Sequence, residues 1–370
     1  MTTPRKMTLK RMAGGTGMSR LSGPLTVFKD WFLRQLAERR DRQDCRTIER
    51  QHGRVPDSLR RRAGEYAREV LGHRKHARGL ITFTAIHKSF REGWIPLSYY
   101  REHIRPAMYR AGELNRYRHF LRRLLPAAHV PDIAYVFRGR FYNLDFERLA
   151  PDDAGEVLFG QRDTVIFKRN CSARGRGVCK VTRDDFGAAH PTRLPDGVFQ
   201  EIVSPHEAFA DLLPDRGPTI RILTVRGPGG AVTHRGSYLR LARQSAQVVE
   251  ATSQVGIAIE TSTGRLQATG YSGSKCEAVA AHPDTGCRFE GIVIPKFAET
   301  VNDMVNHHRS FPFSDVIGWD VCIDRDGRPQ VLEWNILKAG IEFVQATIGP
   351  VFHGLGWEDY WKQKLPPGHN

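Results

Sequence analysis

Gly318-Trp319-Asp320-Val321-Cys322-Ile323-Asp324-Arg325-Asp326-Gly327-Arg328-Pro329-Gln330-Val331-Leu332-Glu333-Trp334-Asn335 reads as a strand, an Asp-Gly turn and a second strand. Side chains alternate along a strand, so Glu333 and Asn335 share one face and Asp320 can come beside them. Two carboxylates and an amide then present hard oxygen donors. Mg²⁺ takes such donors, keeps several waters and is usually completed by substrate phosphates, so the set suits a metal–nucleotide site better than an all-protein cage. The plainer alternative is a hairpin whose polar face is merely solvated.

An upstream stretch bears on that choice. Val165–Val181 is an apolar strand ending in Lys168, a loop Asn170-Cys171-Ser172-Ala173-Arg174-Gly175-Arg176-Gly177, and a second strand. Ser172, Gly175 and Gly177 let backbone N–H groups approach phosphate oxygens without side-chain collision, while Lys168 supplies a point charge. The loop leads to a strand rather than a helix and lacks Gly-Lys-Ser/Thr, so it is a hairpin flap and not a Walker loop. Arg174 and Arg176 either add phosphate contacts or are solvated.

Val198-Phe199-Gln200-Glu201-Ile202-Val203 follows, then Ser204-Pro205-His206-Glu207. Such a segment can offer backbone groups to an adenine edge, with Gln200 or Glu201 accepting from the exocyclic amine and His206 or Glu207 near the ribose hydroxyls. Two further strands, Pro218–Val225 and Gly236–Leu241, each carry one arginine among apolar residues, Arg221 and Arg240. A guanidinium in that setting either snorkels to water or faces an anion.

In this order the segments resemble the ATP-grasp superfamily, and most closely its sugar-transfer-associated branch, over about residues 111–350. The resemblance implies an α+β ATP-grasp fold in which two α+β lobes, about 130–205 and 206–350, clasp ATP between antiparallel sheets. It also implies an ATP- and Mg-dependent ligase. In such enzymes a carboxylate attacks the γ-phosphate of ATP, and an amine or thiol then displaces phosphate from the acyl-phosphate; a sugar- or polymer-linked acid, or an amino acid, is the implied substrate class. Carried onto this sequence, Lys168 holds the α/β-phosphates, the loop with Ser172, Gly175 and Gly177 closes over them, and Gln200, Glu201, Ile202 and Val203 line adenine. Asp320, Glu333 and Asn335 hold two Mg²⁺ ions, and Arg221 and Arg240 stabilise the transferring phosphate or the substrate carboxylate. The family's early lysine is missing from Leu114-Asn115-Arg116-Tyr117-Arg118-His119-Phe120. Either Arg116 or Arg118 substitutes for it or the contact is absent. The glycine-rich loop expected on the acceptor side is reduced to Ala251-Thr252-Ser253-Gln254-Val255-Gly256.

Charge divides the chain. Residues 1–130 hold 29 Lys+Arg against 11 Asp+Glu, whereas the remaining residues hold 27 against 29, so the whole excess of +16 lies in the first third. Phe28, Phe32 and Leu36 recur at helical spacing within a basic segment, 57–79 reads as a charged helix, and Leu97–Leu125 as another interrupted at Pro106. Residues 1–110 are thus expected to be a basic, mainly helical region with 1–25 disordered, and 351–370 a tail. Its rival roles are contact with a polyanion or a membrane surface, or covering the hydrophobic back of the lobes. A nucleic-acid-binding protein and a nucleotide-binding but inactive scaffold are the alternatives to a working ligase.

The six scattered cysteines show no C-x-x-C pair and no close Cys/His spacing, which points to neither a zinc site nor a disulfide framework. With no apolar run of spanning length and no apolar leader segment, a cytoplasmic setting is expected. His307 and His308 read as helix-capping or surface residues. Nothing in the sequence sets the oligomeric state.

Overall fold

The computed structural model describes residues 39, 41–108, 114–125, 129–172, 177–187, 194–213, 217–243, 254–273, 276–336 and 338–363. The 1–25 segment, the stripe from Phe28 to Leu36, Arg174, Gly175, Arg176, Ala251 to Ser253 and the last seven residues lie outside the described residues.

Two antiparallel sheets organise the chain. The smaller has β1 (Asp132–Phe137), β2 (Arg140–Tyr142), β3 (Arg148–Leu149), β4 (Thr164–Arg169), β5 (Val178–Thr182) and β6 (Gly197–Gln200) in the order β3-β2-β1-β6-β4-β5. The larger has β7 (Thr219–Arg226), β8 (Val232–Leu241), β9 (Val255–Ile259), β10 (Leu266–Ser272), β11 (Glu277–Val279), β12 (Val316–Ile323) and β13 (Pro329–Asn335) in the order β11-β10-β9-β8-β7-β12-β13. Every pairing in both is antiparallel, which is the expected arrangement and differs from a doubly wound parallel sheet.

The larger sheet is covered on both faces. Ile220, Ile222, Trp319, Val321 and Ile323 point to one side and pack with Phe297, Val301 and Met304 of the helix Phe297–Ser310. Leu223, Val225 and Val316, of opposite parity, pack with Trp94, Tyr99, Tyr100, Trp357 and Val344 from the N-terminal helices and the chain after Gly340. Arg221 and Asp320 share this second parity. The helices within 41–108 therefore cover the face that carries the candidate site, further along its strands, and not the back of the sheet. Each buried aromatic here contributes about 1.5–3 kcal/mol relative to exposure.

Three local expectations are corrected. The helix expected over 57–79 ends at Glu69 and resumes at Ala77–His87 after a 3₁₀ turn, Arg74–His76, because Gly72 takes φ +77°, a left-handed conformation that breaks the helix. Pro106 does not interrupt its helix. A π turn at Tyr100–Ile104 precedes it within the helical stretch Leu97–Met108, and such a turn relaxes the backbone where proline removes the hydrogen bond to residue 102.

The third concerns His308, which is buried and not a surface cap. Its Nδ1 lies 2.8 Å from Thr224 Oγ1 and its Nε2 2.8 Å from the Ser314 carbonyl. Trp319 Nε1 donates to the same Thr224 oxygen at 2.8 Å, so the chain of bonds is satisfied when His308 is neutral with its proton on Nε2. Burial accordingly pulls the His308 pKa down to about 4.

A continuous basic face occurs on the first described helix, where Arg39, Arg42, Arg46 and Arg50 line an open cleft with Gln43 and Thr47. Among the described residues no helix is long and apolar enough to cross a membrane, and all six cysteines are free thiols.

Candidate active site

The β12–β13 hairpin is built by its turn. Asp324 Oδ1 accepts the N–H groups of Asp326 (3.0 Å) and Arg328 (2.8 Å), and Gly327 takes φ +77° where a side chain would be strained. This fixes the register that puts Asp320 opposite Glu333 and Gly318 opposite Asn335. Pairing then shifts, so Val321 faces Val331 and Leu332 is an extra residue. A bulge leaves its residue out of the ladder and re-aims nearby groups. Here the carbonyl of Leu332 accepts from Lys168 Nζ at 3.1 Å, joining the smaller sheet to the larger one.

Asp320 is the centre of the cluster. On β7, Arg221 stands directly opposite it and binds it twice, Nε to Oδ1 at 2.6 Å and Nη2 to Oδ2 at 3.1 Å. From β8, Arg240 Nη1 reaches both carboxylate oxygens at 3.0 Å. Asn335 Nδ2 approaches Oδ2 at 3.4 Å. A carboxylate offers about four lone-pair sites, so these guanidiniums saturate Asp320. Burial would raise its pKa, but Arg221 and Arg240 outweigh that and hold it well below the usual carboxylate range.

Arg221 is itself committed. Its Nη1 donates to the carbonyls of Lys338 (3.2 Å) and Ala339 (3.1 Å). That approach needs Gly318, because a Cβ there would lie 2.4 Å from the Ala339 oxygen. Burial lowers the Arg221 pKa, but Asp320, Tyr238 and Glu333 together raise it by more, so the residue stays charged. Arg240 is anchored through Nε to Gln254 Oε1 at 2.9 Å, and among the described residues its Nη2 has no hydrogen-bond partner.

Two cations reach the hairpin, Lys168 from β4 of the smaller sheet and Arg118 from the turn before the helix Phe120–Leu124. Arg118 places Nη1 3.0 Å from Glu333 Oε2, with its Nε on the Arg169 carbonyl (3.2 Å) and its N–H on Asn170 Oδ1 (3.0 Å). Within the lysine-free segment, Arg118 thus reaches the acidic cluster. Lys168 is held among Glu333, Asp132 and Asp320, yet burial and Arg118 draw its pKa down to about 8.

The remaining expected residues lie on the smaller sheet and on the segment that leads from it to the larger one. Ser172 and Gly177 face each other at the base of the loop, where a Cβ on Gly177 would lie 2.2 Å from Ser172 Oγ; Gly175 lies outside the described residues. Gln200 ends β6 buried, and its Nε2 donates to Asp132 Oδ1 at 2.7 Å. Glu201 is exposed and pairs with Arg162 at 2.5 Å, while Ile202 is exposed and Val203 half-buried. The Gln200 side chain and the Glu201 carboxylate thus have protein partners in this arrangement. His206 Nδ1 accepts from Ala208 N at 3.2 Å, and Glu207 is exposed at the start of a 3₁₀ turn. The bridge Pro205–Asp324 brings this segment to the hairpin of Asp320 and Glu333.

Asp132 was missed. It opens the otherwise apolar strand Asp132–Phe137, lies buried beside Gln200, Lys168 and Tyr135, and has its pKa pushed up to about 6 by burial. An acidic residue leading a buried strand was the available signal.

A cleft of this construction, with a small-residue loop and lysine on one antiparallel sheet and an Asp/Glu-x-Asn set on the other, defines the ATP-grasp class. The profile of the sugar-transfer-associated ATP-grasp family matches residues 161–355, just over half of the chain, and the chain belongs to this family. No curated protein matches it significantly in sequence. Similar solved structures include the biotin carboxylase domain of the 2-oxoglutarate carboxylase of Hydrogenobacter thermophilus with Mg-ADP, ADP and bicarbonate (11% identity, 69% of this chain and 47% of that one, TM-score 0.40). The Campylobacter jejuni biotin carboxylase gives 11% identity over 70% of this chain and 48% of that one, with TM-score 0.43. The ATP-grasp ligase PsnB with a minimal precursor gives 16% identity over 67% and 62%, with TM-score 0.39. The chain thus spans about half to three-fifths of the length of these proteins.

Proposed function

We propose that the protein is an ATP- and Mg-dependent ligase that activates a carboxylate as an acyl-phosphate and joins it to an amine or thiol. The observation that carries this reading is the approach of Lys168 on β4, and of Arg118 from the turn before the helix Phe120–Leu124, to the hairpin that carries Asp320, Glu333 and Asn335. Buried cations facing a carboxylate–amide set suit phosphates whose remaining charge is met by a hard cation.

The donors fit Mg²⁺, with one condition. Glu333, Asn335 and Asp320 offer oxygen ligands, but Asp320 is saturated by guanidiniums, so its share in metal binding requires Arg240 to turn toward phosphate. Mg²⁺, when bound, neutralises phosphate charge. Lys168 and Arg118 orient the polyphosphate. A substrate carboxylate oxygen attacks the γ-phosphorus, the bond to the bridging oxygen breaks with its electron pair leaving on ADP, and Arg240 meets the charge on the transferring group. An amine then attacks the acyl carbon, losing its proton as inorganic phosphate departs. Arg221 positions Asp320 throughout. Gln200 to Val203, with His206 and Glu207, border the nucleoside side of the cleft. The family name supports a sugar- or polymer-linked acid as substrate class, and the stripe Arg39, Arg42, Arg46, Arg50 supports an anionic partner for the N-terminal face.

Hydroxylamine tests the reaction. With ATP, Mg²⁺ and pools of carboxylates, the enzyme is expected to release ADP and form an acyl hydroxamate with the true acid. ADP release with a stable phosphorylated product and no hydroxamate would make it a kinase.

A further inference from the structure

Away from the cleft, the N-terminal helices bring His76 beside two adjacent ligating side chains from a later helix, Glu102 and His103. His76 closes the 3₁₀ turn Arg74–His76, and Glu102 and His103 lie in the π turn Tyr100–Ile104. His76 Nε2 and His103 Nε2 each stand 3.9 Å from the same oxygen, Glu102 Oε2. One donor atom from each residue lies within 4.8 Å of the other two.

The telling atom is His76 Nε2. The residue is fully buried, and this nitrogen has no hydrogen-bond partner. Its other nitrogen, Nδ1, lies 2.9 Å from Ser98 Oγ. Donation from Nδ1–H to that hydroxyl leaves Nε2 as a bare lone pair directed toward Glu102 and His103, which is how metal-bound histidines are commonly oriented from behind. The opposite tautomer would bury an unpaired N–H donor, an arrangement that folded proteins rarely keep.

The surroundings hold these groups in place. Tyr99 packs on both imidazoles, 5.3 Å from the His76 ring and 4.9 Å from that of His103, and its hydroxyl is tied to the Trp357 and Glu358 carbonyls at 2.9 Å. Lys75 Nζ binds Glu102 Oε1 at 2.6 Å, so Oε2 is the oxygen turned to the imidazoles. Its ammonium opposes a dication, but the side chain is 30% exposed and its charge is screened by solvent.

We propose that His76 Nε2, Glu102 Oε2 and His103 Nε2 bind one zinc-class divalent cation, water completing the tetrahedron, and that the ion clips the 74–76 turn to the Leu97–Met108 helical stretch. Two imidazoles and one carboxylate suit Zn²⁺ and its late first-row neighbours, whereas Mg²⁺ and Ca²⁺ prefer all-oxygen sets. Tetrahedral bonds of about 2.0–2.1 Å put donors about 3.4 Å apart, so closure takes about half an ångström for each imidazole–carboxylate pair and, from the 4.8 Å bound, at most about 1.4 Å between the two imidazoles. The site is separate from the ligase reading.

Calorimetric titration of the chelator-treated, dialysed full chain with ZnCl₂ tests it, supported by the visible spectrum of the Co²⁺-substituted protein. One ion with micromolar or tighter affinity is expected, weakened by about 100-fold or more in His103→Ala and in Glu102→Gln and unchanged in Glu333→Gln. The Co²⁺ spectrum should show tetrahedral d–d bands without thiolate charge transfer. Unaltered affinity in both His103→Ala and Glu102→Gln would overturn the assignment, as would loss confined to Glu333→Gln, or thiolate bands marking cysteine ligation. Both altered side chains are partly exposed, and Glu102→Gln preserves shape, so the fold is expected to survive.

Discussion

Glu333→Gln is expected to lower turnover by about 10²–10³-fold while leaving the fold intact. The substitution removes one negative charge from the cluster that faces Lys168 and Arg118, and phosphoryl transfer depends chiefly on placed charge. Glutamine keeps an acceptor for Arg118 Nη1, now 3.0 Å from Glu333 Oε2, and the side chain is 29% exposed, so little packing is lost. ADP release with the acid found by hydroxamate formation measures the effect, and thermal melting should agree with wild type to within about 0.5 kcal/mol. Equal turnover in wild type and variant would remove Glu333 from the reaction.

Arg221→Ala should act on stability first. The residue is buried, binds Asp320 twice and donates to two carbonyls, so its loss leaves a buried carboxylate half-paired and two acceptors unmet. Breaking one partner of a buried pair costs about 3–5 kcal/mol, and the surviving Arg240 contact places the expected loss near 3 kcal/mol by denaturant titration. The pH dependence follows in sign. Asp320 is held below the usual carboxylate range, so its contribution is present above the ordinary carboxylate pKa and is lost as pH falls through the folded value. Removing Arg221 raises that value and should move acid unfolding to higher pH. Arg240→Ala, by contrast, should cut turnover strongly with a smaller stability loss. Equal stability losses in the two variants would contradict the division between a positioning and a phosphate-facing arginine.

Much of this architecture was legible because its signals are local. The Asp-Gly turn sets the β12–β13 register, and period-two alternation places Asp320 with Glu333 and Asn335 before any tertiary contact is known. What escaped depends on contacts across the chain. The bulge at Leu332 arises from pairing with β12 and leaves no mark in composition, yet it supplies the carbonyl that receives Lys168. Saturation of Asp320 depends on the registers of β7 and β8, so an arginine expected to face substrate proves to be held by the aspartate. His308 follows a helical pattern that suits a cap, and only the packing of Thr224 and Ser314 against it makes it a core residue. Likewise Gly72 and the π turn before Pro106 redirect helices that periodicity alone would extend.

The most direct measurement is calorimetric titration of the intact protein with ATP, in Mg²⁺ and in EDTA, beside Mg²⁺ alone and the variants Glu333→Gln and Lys168→Met. Carboxylates that rely on phosphates to complete an octahedron should give tight binding of Mg-ATP, weak binding of Mg²⁺ alone, and a marked loss of ATP affinity in EDTA and in both variants. ATP binding of equal strength in EDTA and in Glu333→Gln would contradict the placement of the metal–nucleotide site at Asp320, Glu333 and Asn335.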